Sequence, residues 1–281
     1  MQEVKERISH QAREQFFRYD RELDLEVEER PVDAPQGLKR TRFTFTSTHW
    51  QRVPGLLLTP QGTGPFPLVV MQHGAGSEKE AEYIARPAEF WAQSEGWAVL
   101  AIDAPRHGER QRGEVDRARL FNHSYTWRDT AIQMAQDLMR SLDYARTRAE
   151  IDSSRVAYVG FSMGTILGVA FVALDKRVGS AVFNIGGAVT AERLGEFSED
   201  HREQIEEVVE IVDPVHFAPQ IAPRPVLMIN GLQDDIVPPA SGQRLFDAMG
   251  EPKRIEWYEG DHYGIRGKEL KLMREFLREN L

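Results

Sequence analysis

Six runs of consecutive apolar residues organise the chain: 67–71, 97–102, 155–159, 180–185, 225–229 and 254–258. Runs that are apolar on both faces suit strands of a parallel sheet covered by helices on either side. Ahead of them the pattern has period two. Residues 22–28 and 42–46 alternate, and 53–58 follow after a turn, which predicts antiparallel strands at a sheet edge behind a short N-terminal helix. The segments between the apolar runs read as helices. Pro87 at a first turn and Gly96 just past the end bracket one of them. Ala131, Ala135, Leu138, Leu142 and Ala145 form the stripe of a second, and Leu270, Met273 and Leu277 that of the last. Strands alternating with helices predict one doubly wound α/β domain over residues 1–281, with 1–60 supplying the N-terminal helix and edge strands.

Two stretches break the alternation. Residues 106–125 are polar and rich in arginine, and residues 188–218 are polar and helix-prone between two buried strands. Ligands of open α/β sheets bind beyond the carboxyl ends of the strands, where both stretches emerge. In the second, Ile205, Val208, Val209 and Val212 are spaced for a buried face, and Glu203, Glu206, Glu207 and Glu210 for a solvated one. That pattern predicts a small helical lid over 188–218.

Composition narrows the function by exclusion. With 281 residues, 41% of them hydrophobic, the chain can bury one sizeable core. Acidic residues outnumber basic ones, 44 to 35, so no large basic surface is available for nucleic acid or anionic membranes. There is no cysteine, which excludes disulfides, thiolate metal sites and a cysteine nucleophile. The first twenty residues are charged throughout, and no run approaches the ~20 apolar residues of a membrane span. A cytoplasmic globular protein is the expectation.

Gly160-Phe161-Ser162-Met163-Gly164 follows an apolar strand and precedes a helix-compatible stretch. That is the setting of a nucleophile elbow, where a tight turn lifts a serine Oγ clear of the sheet. The N–H of Met163 would then point at a reacting carbonyl oxygen with a helix dipole behind it. A serine needs a base to take its proton. His262, in a glycine-bounded loop after the last strand, is better placed than His10, His49, His123, His201 or His216, which lie in charged helices or connections. The base needs a carboxylate to hold its tautomer. Asp234, three residues beyond Gly231 at the first bend after a strand, is the expected acid, with Asp235 as fallback or as a cap of the following turn. The order Ser162, Asp234, His262 is the one this fold uses. A second oxyanion donor should come from His73-Gly74-Ala75-Gly76, with Ala75 N–H expected and Gly76 the alternative. His73 itself is expected to brace that loop. Phe161, Ile185, Val237, Met163 and Gly76 are the candidate pocket lining by adjacency to these motifs.

The elbow, the His73-Gly74 loop, Asp103-Ala104-Pro105-Arg106-His107-Gly108, the 231–238 segment and Gly260-Asp261-His262 together resemble the α/β-hydrolase superfamily. Asp213-Pro214 through Arg224-Pro225-Val226-Leu227 is similar to its dienelactone-hydrolase-like and acetyl-xylan-esterase-like branch. The resemblance covers residues 50–281. It implies the α/β-hydrolase fold, a mostly parallel central sheet with helices on both faces. It further implies a serine esterase for small-molecule esters, needing no metal or organic cofactor, and the apolar candidate lining would suit short to medium acyl chains. Two departures matter: true dienelactone hydrolases carry cysteine where this chain has Ser162, and about 50 residues before the core are too few for the propeller of related peptidases. A peptidase or an acyltransferase would use the same three residues, and a non-catalytic binding module is the rival from another class. No nucleic-acid or membrane partner is expected, and self-association into a homo-oligomer stays open.

Overall fold

The computed structural model describes residues 8–112, 124–189 and 199–281. Its strands are β1 (Glu28–Val32), β2 (Leu38–Thr46), β3 (Arg52–Pro60), β4 (Phe66–Gln72), β5 (Ala98–Ile102), β6 (Ile151–Phe161), β7 (Ser180–Asn184), β8 (Val226–Gly231) and β9 (Lys253–Tyr258). They form one sheet in the order β1-β2-β3-β5-β4-β6-β7-β8-β9. The pairings among β1, β2 and β3, and of β3 with β5, are antiparallel; from β5 through β4 to β9 every pairing is parallel. The described α-helices are α1 (His10–Gln15), α2 (Glu82–Glu95), α3 (Ser124–Arg146), α4 (Met163–Leu174), α5 (Glu199–Val212), α6 (Pro239–Ala248) and α7 (Gly267–Asn280).

The doubly apolar runs have the consequence their pattern implies, because successive strand side chains leave opposite faces. On β4, Leu68 and Val70 enter a core with Ala131, Ala135, Leu138 and Leu142 of α3 and with Leu167 and Phe171 of α4. Val69 and Met71 enter a second core with Ile84 and Trp91 of α2 and Met273 and Leu277 of α7. Each fully buried large aliphatic contributes roughly 1.5–3 kcal/mol. Among the described residues, no helix is long and apolar enough to cross a membrane.

Three expectations are corrected. Of residues 22–28 only Glu28 belongs to a strand: Glu26 adopts φ 42°, and pairing begins at Glu28. The true edge strand β1 is almost wholly exposed, so no apolar alternation marks it. Helix α2 starts at Glu82, which puts Pro87 inside it instead of in its first turn, whereas Gly96 ends it in the left-handed conformation as expected. The glutamate face of α5 is only partly solvated. Glu203 and Glu207 are exposed, but Glu210 accepts a hydrogen bond from Ile8 N–H, and its carbonyl accepts one from the buried Arg13. The N-terminal segment covers it, which helix periodicity cannot reveal.

The apolar stripe of α5 differs in part from the expected one: Val208 and Val212 are buried in the first core together with Ile211, whereas Ile205 and Val209 are only half-buried, and the helix packs against α3. Residues 113–123 of the arginine-rich connection and 190–198 of the expected lid lie outside the described residues. Arg244 of α6 ties the residue before 190–198 to the residue that follows α5. Arg244 donates to the Val189 carbonyl at 2.7 Å and reaches Asp213 at 3.4 Å.

Candidate active site

All strands from β4 to β9 run the same way, so their carboxyl ends deliver side chains to one edge. Ser162 follows β6 there with φ 52° and ψ −115°, a conformation that costs an L-residue on the order of 1–3 kcal/mol. The surroundings hold it. Ser162 N–H donates to the Asn184 carbonyl at 2.9 Å, and its own carbonyl accepts from Ile166 N–H as α4 begins. The flanking glycines are required by close approach: a Cβ on Gly160 would lie 2.8 Å from the Gly164 carbonyl, and one on Gly164 only 2.4 Å from the Gln72 carbonyl oxygen.

Three distant positions meet at this turn. His262 Nε2 lies 2.9 Å from Ser162 Oγ, and His262 Nδ1 lies 2.7 Å from Asp234 Oδ2. An ionised carboxylate only accepts, so Nδ1 carries the proton and Nε2 is left to receive one from the serine. Asp234 and His262 are buried, whereas Asp235 is exposed. The turn-capping role considered for Asp235 also falls to Asp234, whose Oδ1 accepts from Ile236 N–H at 2.9 Å and Val237 N–H at 2.8 Å. One oxygen fixes the loop and the other orients the imidazole.

The loop after β4 lies against the elbow: a Cβ on Gly74 would be 3.3 Å from Ser162 Cβ. Met163 is the first residue of α4, where backbone N–H groups have no partner within the helix. Of the candidate lining residues, Phe161, Met163, Ile185 and Val237 are buried beside these turns, and Gly76 is exposed with φ 71°. Among the described residues, no group of three or more His, Asp or Glu could hold a metal ion.

Residues 53–266 match the sequence model of the dienelactone hydrolase family. The chain belongs to that family. YtaP of Bacillus subtilis (strain 168) is 27% identical over 168 residues, 55% of this chain and 53% of the relative, so the match spans about half of that protein's length. The esterase YjfP of Escherichia coli (strain K12) is 29% identical over 240 residues, 77% of this chain and 90% of the relative. Among solved structures, the acetyl xylan esterase from Paenibacillus sp. R4 superposes with TM-score 0.79 at 22% identity, covering 97% of this chain and 93% of that one. This last likeness shows the α/β-hydrolase fold. Family and relatives together support an esterase or hydrolase.

In this family member several framing side chains carry no sequence motif. Thr165 Oγ1 lies 2.9 Å from the Gly160 carbonyl and 2.8 Å from that of Asn184, clasping the elbow from inside α4. Lys79, almost fully buried, binds Asp103 at 2.7 Å and Glu109 at 2.6 Å, tying the loop after β4 to the loop after β5. Only the fold brings these partners together, so no spacing in the chain announces them.

His73 braces the loop, as its position suggests. Its Nε2 accepts from Ala104 N–H at 3.1 Å, so Nδ1 carries the proton and donates to the Gly74 carbonyl at 2.8 Å. Burial, helped by the charges of His107 and Lys79 and opposed by the Gly74 bond and Asp103, lowers its pKa to about 4. Asp213 is shifted the other way: burial outweighs its hydrogen bonds and the nearby arginines and raises it to about 6.

Replacing Asp234 by Asn should lower kcat by about 10⁴-fold, because the amide cannot hold the required tautomer. Asp235→Asn should cost far less; steady-state kinetics on both variants, with the reverse ranking transferring the acid role to Asp235, is the check. A second prediction concerns pH. The neutral His73 is favoured by folding, so its contribution is complete above pH ~6.5 and is lost as pH falls to about 4, on the order of 3 kcal/mol. Asp213 has the opposite sign, its contribution being complete below about pH 4 and lost as pH rises through 6. The two partly cancel in the native chain. The stability gap between wild type and the non-titrating His73→Gln should therefore widen from pH 4 to pH 7 in denaturant titrations, and a constant gap would refute the assignment.

Proposed function

We propose that this chain hydrolyses carboxylic esters of short to medium acyl groups through an acyl-enzyme on Ser162. The carrying observation is the unbroken contact from Ser162 Oγ through both imidazole nitrogens of His262 to the buried Asp234. His262 Nε2 takes the Ser162 proton as Oγ attacks the ester carbonyl. The oxyanion that forms is stabilised by the N–H groups of Met163 and Ala75, worth about 10²–10³-fold in kcat per donor in comparable sites. The imidazolium, held against Asp234, then returns its proton to the leaving alkoxide. A water deprotonated by the same nitrogen releases the acid and restores the serine. Phe161, Met163, Ile185 and Val237 supply the apolar side for the acyl group, and the acetyl xylan esterase likeness favours its small end. A purely binding role would give no reason to retain a strained serine aligned with a base and an acid.

The test is a panel of esters varying in acyl length and leaving group. Ser162→Ala should fold normally and lose about 10⁴ to 10⁶-fold in kcat, and a serine-directed phosphonate should label wild type but not the variant. Near-normal turnover by the purified variant would overturn the nucleophile assignment. A preference for long acyl chains would overturn the pocket reading alone.

A further inference from the structure

We infer that Tyr83 is a positioning residue that, together with His73, aims the Ala75 N–H at the oxyanion site. The inference rests on the reading above of Ser162 as nucleophile and Ala75 as donor.

The argument begins with the peptide plane. In a trans peptide the C=O and the N–H point in opposite directions, so fixing one group aims the other. The Gly74 carbonyl accepts from His73 Nδ1–H at 2.8 Å. The N–H across that same peptide belongs to Ala75, and it is directed away from the His73 ring. The preceding peptide is held at its N–H, where Gly74 donates to the Tyr83 hydroxyl at 2.9 Å. Both peptides flanking Gly74 are thus pinned, one by each side chain. The position needs it, because glycine has no Cβ to restrict rotation of its two peptides. Oxyanion donors act through preorganisation, and a donor free to swing loses most of its effect.

Tyr83 is built for this role from three sides. It lies in the first turn of α2, the helix that the loop after β4 leads into. Its ring meets that of Phe161 edge to face, centroids 5.3 Å apart and planes at 72°, and Phe161 immediately precedes Ser162. The same side chain therefore touches the strand bearing the nucleophile and the loop bearing the donor. Although 40% of the residue is exposed, burial at its hydroxyl end raises the phenol pKa, outweighing the hydrogen bonds of Ser77 and Gly74 that lower it. The hydroxyl stays protonated across the working pH range. Its bond to Gly74 also removes that N–H from competition as an oxyanion donor, which leaves Ala75 and Gly76 for the role.

Tyr83→Phe isolates the hydroxyl while keeping the ring against Phe161. The expected result on an acetyl ester is a fall in kcat of about 10-fold with KM within about twofold, since the lost effect belongs to the transition state. Phosphonate labelling of Ser162 should slow in parallel, and the thermal midpoint should move little. A kcat within twofold of wild type overturns the inference, and so does an effect confined to KM, which would make Tyr83 a substrate contact. Amide hydrogen exchange in wild type tests it without any variant: Gly74 N–H should be protected, and rapid exchange there overturns the inference even if the variant folds poorly. Loss of the parent reading looks different. There Ser162→Ala would remain active, whereas failure of this inference alone leaves a Ser162-dependent enzyme indifferent to the Tyr83 hydroxyl.

Discussion

The backbone at Ser162 is the constraint on which the rest depends. A left-handed φ of 52° at a non-glycine residue turns the chain from β6 into α4 with no intervening loop. The bend is so tight that Gly160 nearly touches the start of α4, and Gly164 lies against the last carbonyls of β4. Hydrogen bonds from two elements hold it: Asn184 at the end of β7, and from α4 both Thr165 and the Ile166 N–H that closes the first helical turn. Tyr158, fully buried in β6, adds a bond from its hydroxyl to the Gly164 carbonyl at 2.6 Å. The strained conformation therefore requires β4, β6, β7 and α4 to be in place together, and it cannot form locally.

Charge placement around the turn follows one rule: a buried ionisable group is either fully partnered or neutral. Asp234 spends one oxygen on two backbone N–H groups and the other on His262. Asp103 is enclosed by Lys79 Nζ, Lys79 N–H and Glu109 N–H. For Lys79, burial works against the charge, but hydrogen bonds to Asp103 and Glu109 prevail and raise its pKa. His73 has no carboxylate at either nitrogen and is held neutral. These groups join the loops after β4, β5 and β8 to the sheet by electrostatics where backbone pairing has ended, so the loops are anchored without being regular.

How much of this was legible in the sequence follows from which interactions are local. The elbow was, because glycine at 160 and 164 answers a steric need within five residues. The parallel strands were, because each exposes apolar side chains to both faces. The choice between Asp234 and Asp235 could be argued only from distance along the loop, and the structure separates them by burial and by contact with His262. The two histidines near the elbow show the same limit. His73 has both nitrogens engaged by backbone, whereas His262 Nε2 faces a hydroxyl, and only the folded loop distinguishes them. β1 was missed because an exposed edge strand needs no apolar residues, and Pro87 misled because a proline is tolerated inside α2. The roles of Tyr83, Thr165 and Lys79 depend on partners supplied by the fold, and single residues of common types leave no pattern.

The register between β4 and β6 links the fold to the chemistry most directly. Gln72 pairs with Gly160 and Met71 with Val159, so two residues further on Gly74 arrives beside Ser162. A slip by one residue would move the loop after β4 relative to Ser162 by roughly 3.3 Å, beyond hydrogen-bond reach. It would also reverse the faces, sending Val69 and Met71 out of the core they share with Val159 and Phe161. In a strand solvated on one face, reversal costs the burial of one set of side chains. Here both faces are buried, and on each the side chains fill a differently shaped core, so the penalty falls on both at once. The apolar runs that reveal the sheet in the sequence thus also fix the alignment of the loop after β4 with Ser162. Hydrophobic packing sets the position of the 73–76 loop to within a residue, and the hydrogen bonds of His73 and Tyr83 then hold the two peptides that flank Gly74.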